Sequence, residues 1–275
     1  MMNSLNIGLS GLEQFQQEIE VIGNNVANVN TTGYKGARMT FADTFSQTLG
    51  ASGAAAEQVG SGVKTGAITN LWTQGTIVST QAPSDLAVKG NGFFVVRDAL
   101  SNAQYVTRAG DFQVDQSGRL ITPDGMFLQG YNDAGLGTIG DLTVDRTGAP
   151  ASAAQTATVS SFSVDKQGRI TVKLSDNTEF VRGQVLLQSV TNPQALVKEG
   201  DNLYSGLANA GPLAAPSAPG QNGLGEIQGS ALEQSNVDLA TELTGLISTQ
   251  RAFQANSRLI TTTDEVLQEV VNLKR

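Results

Sequence analysis

The stretch that most constrains this chain covers residues 235–273. Leu239, Leu246, Phe253, Ile260 and Leu267 recur there every seven residues, and Leu243, Leu259, Val266, Val270, Val271 and Leu273 widen the stripe. No glycine follows Gly245, and no proline interrupts the run. Ser235 followed by Asp238 fits a capping box at a helix start. The spacing predicts one amphipathic helix of roughly 55 to 60 Å at 1.5 Å per residue. A helix of that kind needs a partner for its apolar stripe.

The other end of the chain offers one. Leu5, Leu12, Ile19 and Val26 are spaced by seven, and Phe15, Ile22 and Val29 follow three residues after the last three of them. This is the a/d pattern of a coiled-coil seam. It predicts that the terminal helices close against each other and carry everything between them as an insert. The same spacing also fits two ordinary core helices of a globular domain. Polar residues at the second seam of the C-terminal helix, Gln250, Ser257 and Asp264, favour packing against several neighbours over a simple two-stranded coil.

Composition narrows the function classes. The chain has 275 residues, no cysteine, no histidine and a net charge of −8. Without these two residue types there are no disulfides, no thiolate nucleophile, no zinc–sulfur site and no imidazole base. The acidic balance argues against nucleic acid and anionic membranes. No apolar run approaches the roughly 20 residues needed to span a bilayer, and the N-terminus lacks the pattern of a cleavable secretory signal. The expectation is a non-enzymatic protein with no cofactor and no metal. A carboxylate hydrolase would have to rely on Asp111 and Asp115, yet one tryptophan and 5% aromatic residues provide no sugar-binding platform.

Between the helices the period changes. The first helix is expected to end around Asn28 to Asn30, and Thr31-Thr32-Gly33 reads as its stop, with Gly33 in a left-handed turn. Tyr34 and Lys35 then form either a contact surface or packing against the helix end. Residues 37–49 carry no clear period. Residues 50–62 are small and Gly-rich, compatible with a loop, a strand or an intersubunit clamp. From Val63 onward, short β-prone runs alternate with turn signals, among them Gly90-Asn91-Gly92, Pro123-Asp124-Gly125 and Asp176-Asn177. A weak repeat runs through Phe112–Thr122 and Phe162–Thr171, echoed at Val144–Gly148. Each copy is a strand, an Asp-x-x-Gly turn and a strand. Asp115, Asp145 and Asp165 read as turn residues, not calcium ligands, because the donors of a calcium loop are missing. Gly135-Leu-Gly-Thr-Ile-Gly140 fits a dinucleotide fingerprint in letters only, since no helix pattern follows it.

The expected fold class is α+β. Long N- and C-terminal helices pack together in a coiled-coil-like manner around a central all-β domain of antiparallel hairpins. Residues 1–49 with 235–275 form the helical assembly domain, residues 63–205 the β domain, and residues 50–62 and 206–234 the linkers.

Four stretches carry a family resemblance. Residues 24–35 (NNVANVNTTGYK) resemble the N-terminal signature of bacterial flagellar rod and hook proteins. Residues 235–243 (SNVDLATEL) and 250–256 (QRAFQAN) resemble the C-terminal signature. Residues 85–88 (DLAV) with 92–94 (GFF), and residues 107–112 (TRAGDF), resemble the β core of the same family. The resemblance covers nearly the whole chain in order. It implies an axial structural subunit that stacks helically into a hollow tube, located in the flagellar hook and basal body after export without a cleaved signal. Its partners would be further copies of itself, neighbouring rod, hook-cap and hook–filament junction proteins, and the flagellar type III export apparatus, with no nucleic acid and no membrane insertion. It also implies termini that become ordered on assembly.

Within the family the ends look most like the hook protein, and the hook is the reading taken. The short span between Tyr131 and Phe162 leaves the distal rod protein as the alternative, because many hook proteins carry a further outer domain there. A secreted β-rich binding module or adhesin is the reading from a different class. The expected assembly interface comprises Leu5, Leu12, Phe15, Ile19, Ile22, Val26, Tyr34, Lys35, Leu239, Leu243, Leu246, Phe253, Ile260 and Leu267.

Overall fold

The computed structural model describes residues 2–273 apart from 53–54, 152, 155 and 213–214. The chain divides into two compact units, one made of residues 1–29, 35–71 and 237–275 and the other of residues 30–34 and 72–236.

The first unit holds α1 (Met2–Ala27), β1 (Ala37–Asp43), β2 (Ser46–Ser52), β3 (Ala55–Gly60) and β4 (Val63–Asn70), followed after the β unit by α3 (Leu239–Leu273). Strands β1 and β4 pair antiparallel, as do β2 and β3. The segment expected as a linker at 50–62 therefore belongs largely to a β hairpin, with residues 53–54 outside the described set. Helix α1 lies on the β1–β4 pair. Phe15 meets Phe41 edge to face at 5.8 Å, and the Thr65 hydroxyl lies 2.5 and 2.6 Å from the Gln14 and Gln17 amide oxygens. The Asn25 amide closes the hairpin end, accepting from Ala37 N–H (2.9 Å) and donating to Ala37 C=O (2.8 Å).

Helix α3 begins later than the capping box implies. Asp238 is its cap, with Oδ1 accepting from the N–H groups of Ala240 (2.8 Å) and Thr241 (3.2 Å). Its carboxylate satisfies free donors at the positive end of the helix dipole. At 35 residues, α3 is about 52 Å long.

The second unit is the β domain. It contains β5 (Ile77–Ser79), β6 (Leu86–Lys89), β7 (Phe93–Arg97), β8 (Gln104–Thr107), β9 (Gln113–Val114), β10 (Leu120–Ile121), β11 (Phe127–Tyr131), β12 (Ile139–Asp141), β13 (Val159–Val164), β14 (Arg169–Leu174), β15 (Glu179–Val185), β16 (Leu187–Gln188), β17 (Val197–Gly200) and β18 (Leu203–Ser205). The one-turn helix α2 (Leu207–Ala210), β19 (Glu226–Gly229) and β20 (Ala231–Glu233) complete it. The main path runs β13-β14-β15-β11-β7-β8-β18-β17, with β9, β10, β12 and β16 attached beside it. Strand β7 is its centre, and its run Phe93-Phe94-Val95-Val96 is buried throughout. Side chains alternate across a strand. Phe94 and Val96 join the main core with Leu86, Phe112, Leu128 and Ile170, while Phe93 and Val95 join a second cluster with Val106, Leu196 and Tyr204.

Two sequence expectations fail in this unit. Residues 206–234 are not a free linker, because β19 pairs with β6 and β20 with β5. The Gly90-Asn91-Gly92 turn does not close a hairpin either; it carries the chain from β6, paired with β19, into β7 of the large sheet. The Asp-x-x-Gly turns form as read. Asp115 Oδ1 accepts from Ser117 and Arg119 N–H (2.7 and 2.9 Å), Asp165 Oδ1 from Arg169 N–H (2.8 Å), and Asp145 Oδ1 from Thr147 N–H (3.0 Å).

Candidate assembly surface and chain junction

Helices α1 and α3 run antiparallel, and their register follows from four contacts. The Asn25 amide donates to the Glu242 carboxylate (3.2 Å), and the Thr249 hydroxyl donates to Glu18 (3.1 Å). Gly11 abuts the Asn256 side chain, and a Cβ on Gly8 would lie 3.0 Å from Ile260 Cγ1. On α1 the facing residues are thus Gly8, Gly11, Glu18, Ile22 and Asn25. On α3 they are Glu242, Gly245, Thr249, Asn256 and Ile260. Both sets step by three, four or seven residues, as a helix–helix seam requires. The seam alternates apolar contact with polar pairs, and two glycines of α1 leave room for the Ile260 and Asn256 side chains of α3.

This differs from a leucine-rich coiled coil. Ile22 is buried in the seam beside Gly245. Leu5, Leu12, Ile19 and Val26 are only half-buried, and Phe15 packs on the hairpin through Phe41. On α3, Leu246, Phe253, Ile260 and Leu267 are half-buried, while Leu239 and Leu243 are exposed. Gln250, Ser257 and Asp264 face outward, and the polar seam positions lie one residue earlier, at Thr249, Asn256 and Thr263. Heptad reading placed the largest apolar residues at the seam, whereas close approach at Gly8 and Gly11 selects a neighbouring face. Tyr34 and Lys35 are both interior, at 5% and 1% exposure, so neither presents a side chain to a neighbour. Lys198 Nζ sits 4.5 Å from the Tyr34 ring centroid.

Several apolar side chains of α3 stay open among its polar ones. Leu239, Leu243 and Ile247 on one flank of the seam, and Leu259, Val266 and Val270 on the other, are each about half exposed. The register places the start of α1 opposite residue 265, so Val266–Leu273 extends past it. Complete burial of such a side chain contributes about 1.5–3 kcal/mol, so covering one that is already half-buried adds about 1 kcal/mol. Neighbours covering both flanks would together gain several kcal/mol.

The second feature lies within the β unit, at the segments where the chain enters and leaves it. Glu233 binds three of them. Its backbone C=O accepts from Gly33 N–H (2.8 Å), its Oε1 accepts from Gly75 N–H (3.0 Å), and its Oε2 lies 3.4 Å from Arg108 Nη1. The Asn202 amide donates to Thr32 C=O (2.9 Å), and the Asn236 amide to Thr73 C=O and Oγ1 (3.1 and 2.9 Å). Gly33 has φ +68°, and a Cβ there would meet Ala109 N at 2.5 Å, so both conformation and space require glycine. Glu233 and the Arg108 side chain are almost fully buried. Burial lowers the Arg108 pKa, and Glu233 opposes that shift. Arg108 also donates to Gly90 C=O (2.9 Å) and stacks on Phe93 at 5.0 Å, while Trp72 packs on Phe93 and Tyr204 at 5.4 and 5.1 Å. Burial pushes the Tyr204 hydroxyl pKa up. Sequence reasoning missed this hub because a lone glutamate before a helix carries no periodic signal.

Asp111 and Asp115, the hydrolase candidates, do not form a pair in a cleft: Asp115 is occupied by its own turn, and Asp111 bridges Asp85 through the backbone. No helix among the described residues is long and apolar enough to cross a membrane.

Known proteins match the chain from end to end. Residues 5–35 match the family described as "Flagella basal body rod protein", residues 87–172 the "Flagellar hook protein FlgE/F/G D1 domain", and residues 228–273 the "Flagellar basal body rod FlgEFG protein C-terminal". The flagellar basal-body rod protein FlgG of Bacillus subtilis is 39% identical over 283 aligned residues, covering 100% of both chains. FlgG of Caulobacter vibrioides is 34% identical over 284, covering 99% of this chain and all of its own. The flagellar hook protein FlgE of Borreliella burgdorferi is 27% identical over 444 aligned positions, covering 100% of both. The paired terminal helices, the antiparallel β unit and these end-to-end matches place the chain in the family of flagellar basal-body rod and hook proteins, structural subunits of the bacterial flagellar axis.

Proposed function

We propose that the chain is a distal-rod subunit of the flagellar basal body, in place of the hook subunit that its ends resemble. The observation that carries this is length. The hook relative needs 444 aligned positions against this chain's 275, so at least 169 positions of that alignment have no residue here, whereas the Bacillus subtilis rod relative needs 283. The fold agrees: between Tyr131 and Phe162 the described residues hold β12, the start of β13 and turns, with no further folded domain.

On this reading, copies of the subunit stack helically, and the open apolar side chains on both flanks of α3 are covered by neighbours in the tube wall. The chemistry is mechanical and not catalytic. Its partners are further copies, adjoining rod and hook proteins, and the export apparatus that delivers it. Electron microscopy of basal bodies from cells lacking the protein tests the assignment. A rod truncated at its distal end is the expected result. A complete rod without a hook would return the assignment to the hook, and intact hooks with filaments would remove both.

A further inference from the structure

The chain contains two Asn-Gly pairs, Asn91-Gly92 and Asn222-Gly223. An asparagine before a glycine can modify itself. The glycine nitrogen, once it has lost its proton, attacks the asparagine Cγ. Ammonia leaves and a five-membered succinimide closes. Water then opens the ring at either carbonyl, giving aspartate or isoaspartate, with no oxidant or reductant involved. Glycine favours the attack because it has no Cβ to crowd the nitrogen and because its backbone turns freely. Ring closure requires the backbone of the pair to open locally, so the fold decides which pair reacts.

Asn222 and Gly223 form the corner of a tight turn in the β unit, where Leu224 N–H donates to Gln221 C=O (2.8 Å). Both have positive φ, +51° and +77°, as in a type I′ turn. Both are exposed, and the space around Gly223 is open. The Asn222 amide is held by a 3.4 Å contact with the Ser217 hydroxyl. The Gly223 N–H donates to no backbone carbonyl among the described residues. Opening this turn therefore costs little more than one hydrogen bond at the surface. Asn91 stands differently. Its C=O accepts from Gly225 N–H (2.7 Å), and Gly92 is buried, with a Cβ there lying 2.9 Å from Leu224 Cδ2 and 3.3 Å from Leu187 Cβ. Gly92 leads directly into the buried run of β7, so opening that pair disturbs the core. We propose that Asn222 is a site of self-modification, converting with time to aspartate and isoaspartate through attack by the Gly223 nitrogen, and that the fold protects Asn91 from the same reaction. Each converted subunit gains a negative charge, and isoaspartate adds one main-chain carbon to the turn that seats the buried Leu224.

The test holds purified full-length protein in mildly alkaline buffer and samples it over days. Peptide mass mapping follows the amide-to-acid mass gain at each asparagine, and labelling by an isoaspartyl methyltransferase identifies isoaspartate. Conversion at Asn222 should run at least about tenfold faster than at Asn91, the ratio produced by an extra opening cost near 1.4 kcal/mol. In guanidinium chloride the two rates should converge, because the protection of Asn91 comes from the fold. Asn222→Gly keeps a residue suited to positive φ and removes the reactive amide, so the main acidic species should vanish in that variant. The Asn222 rate should also rise with pH, since the attacking nitrogen must first lose its proton. Intact Asn222 after incubation, or equal rates at the two sites in the folded protein, would overturn the proposal. So would a rate difference that persists in the unfolded chain, or a rate independent of pH.

Discussion

Gly11 of α1 and Asn256 of α3 occupy the same crossing point, where a Cβ on the glycine would collide with the asparagine amide. A helical Gly→Ala change normally stabilises by about 0.5–1 kcal/mol, but here the new methyl must displace the Asn256 amide, the end of a flexible side chain, which offsets part of that gain. Gly11→Ala should therefore stabilise the helix pair less than propensity alone predicts. In the Asn256→Ala background the same change should recover the full gain. Urea unfolding followed by helical circular dichroism across the four-member cycle measures the coupling, and independent, additive effects would refute the close approach.

Glu233→Gln keeps the shape that accepts from Gly75 N–H but leaves Arg108 charged and buried without its counter-ion. Removing one partner of a buried pair costs about 3–5 kcal/mol. The β unit should lose stability on that scale, read from the Trp72 emission midpoint in urea. A change below about 1 kcal/mol would show that Arg108 is satisfied without Glu233.

The acid limb of stability is set by carboxylates in turns. Hydrogen bonds hold Asp98, Asp133 and Asp176 below the ordinary aspartate range: chiefly Ser101 for the first, Gly137 N–H for the second, and Thr178 N–H for the third. Burial pushes Asp145 up, but bonds from Arg182 and Thr147 outweigh it and hold its carboxyl low as well. The unfolded chain takes up protons near pH 4, before these folded carboxylates do. Their stabilisation is therefore complete above about pH 4 and is lost as pH falls through the lower folded values. Thermal melting between about pH 5 and pH 3 should show stability rising with pH, with a shallower slope in Asp176→Asn. An unchanged slope in that variant would exclude the turn contribution.

Val266→Asp places a charge on the open flank of α3 that holds Leu259 and Val270 without entering the seam, so the isolated subunit should melt as the parent does. Assembly should fail, because burying an unpaired charge costs several kcal/mol at every repeat. Leu246→Lys, on a half-buried position, should both weaken assembly and loosen the helix pair. Normal axial structures in the Val266→Asp strain would remove α3 from the subunit interface.

Much of this architecture was legible in the sequence, because the terminal helices and the Asp-x-x-Gly turns announce themselves through local rules. The phase of the helix seam was not. Heptad reading ranks positions by apolar size, so it favoured Leu5 and Leu12 over Gly8 and Gly11, although steric room, not hydrophobicity, sets the crossing. Strands β19 and β20 were hidden for a different reason. They follow a stretch rich in proline and glycine, and their partners β6 and β5 lie about 140 to 155 residues earlier, beyond the reach of any local pattern. Glu233 shares that fate, since three of its contacts are distant in sequence.

The bond between Gly33 N–H and Glu233 C=O bears on the order in which the molecule folds. Asn25 and Glu242 are separated by 217 residues, a long loop for a chain to close. Gly33 lies six residues beyond the end of α1, and Glu233 six before the start of α3. Once the β unit has formed, that bond shortens the loop between the helices to about a dozen residues, and the entropy of closure falls with loop length. The β unit thus acts as a template: its completion turns the most distant pairing in the chain into a nearly local one.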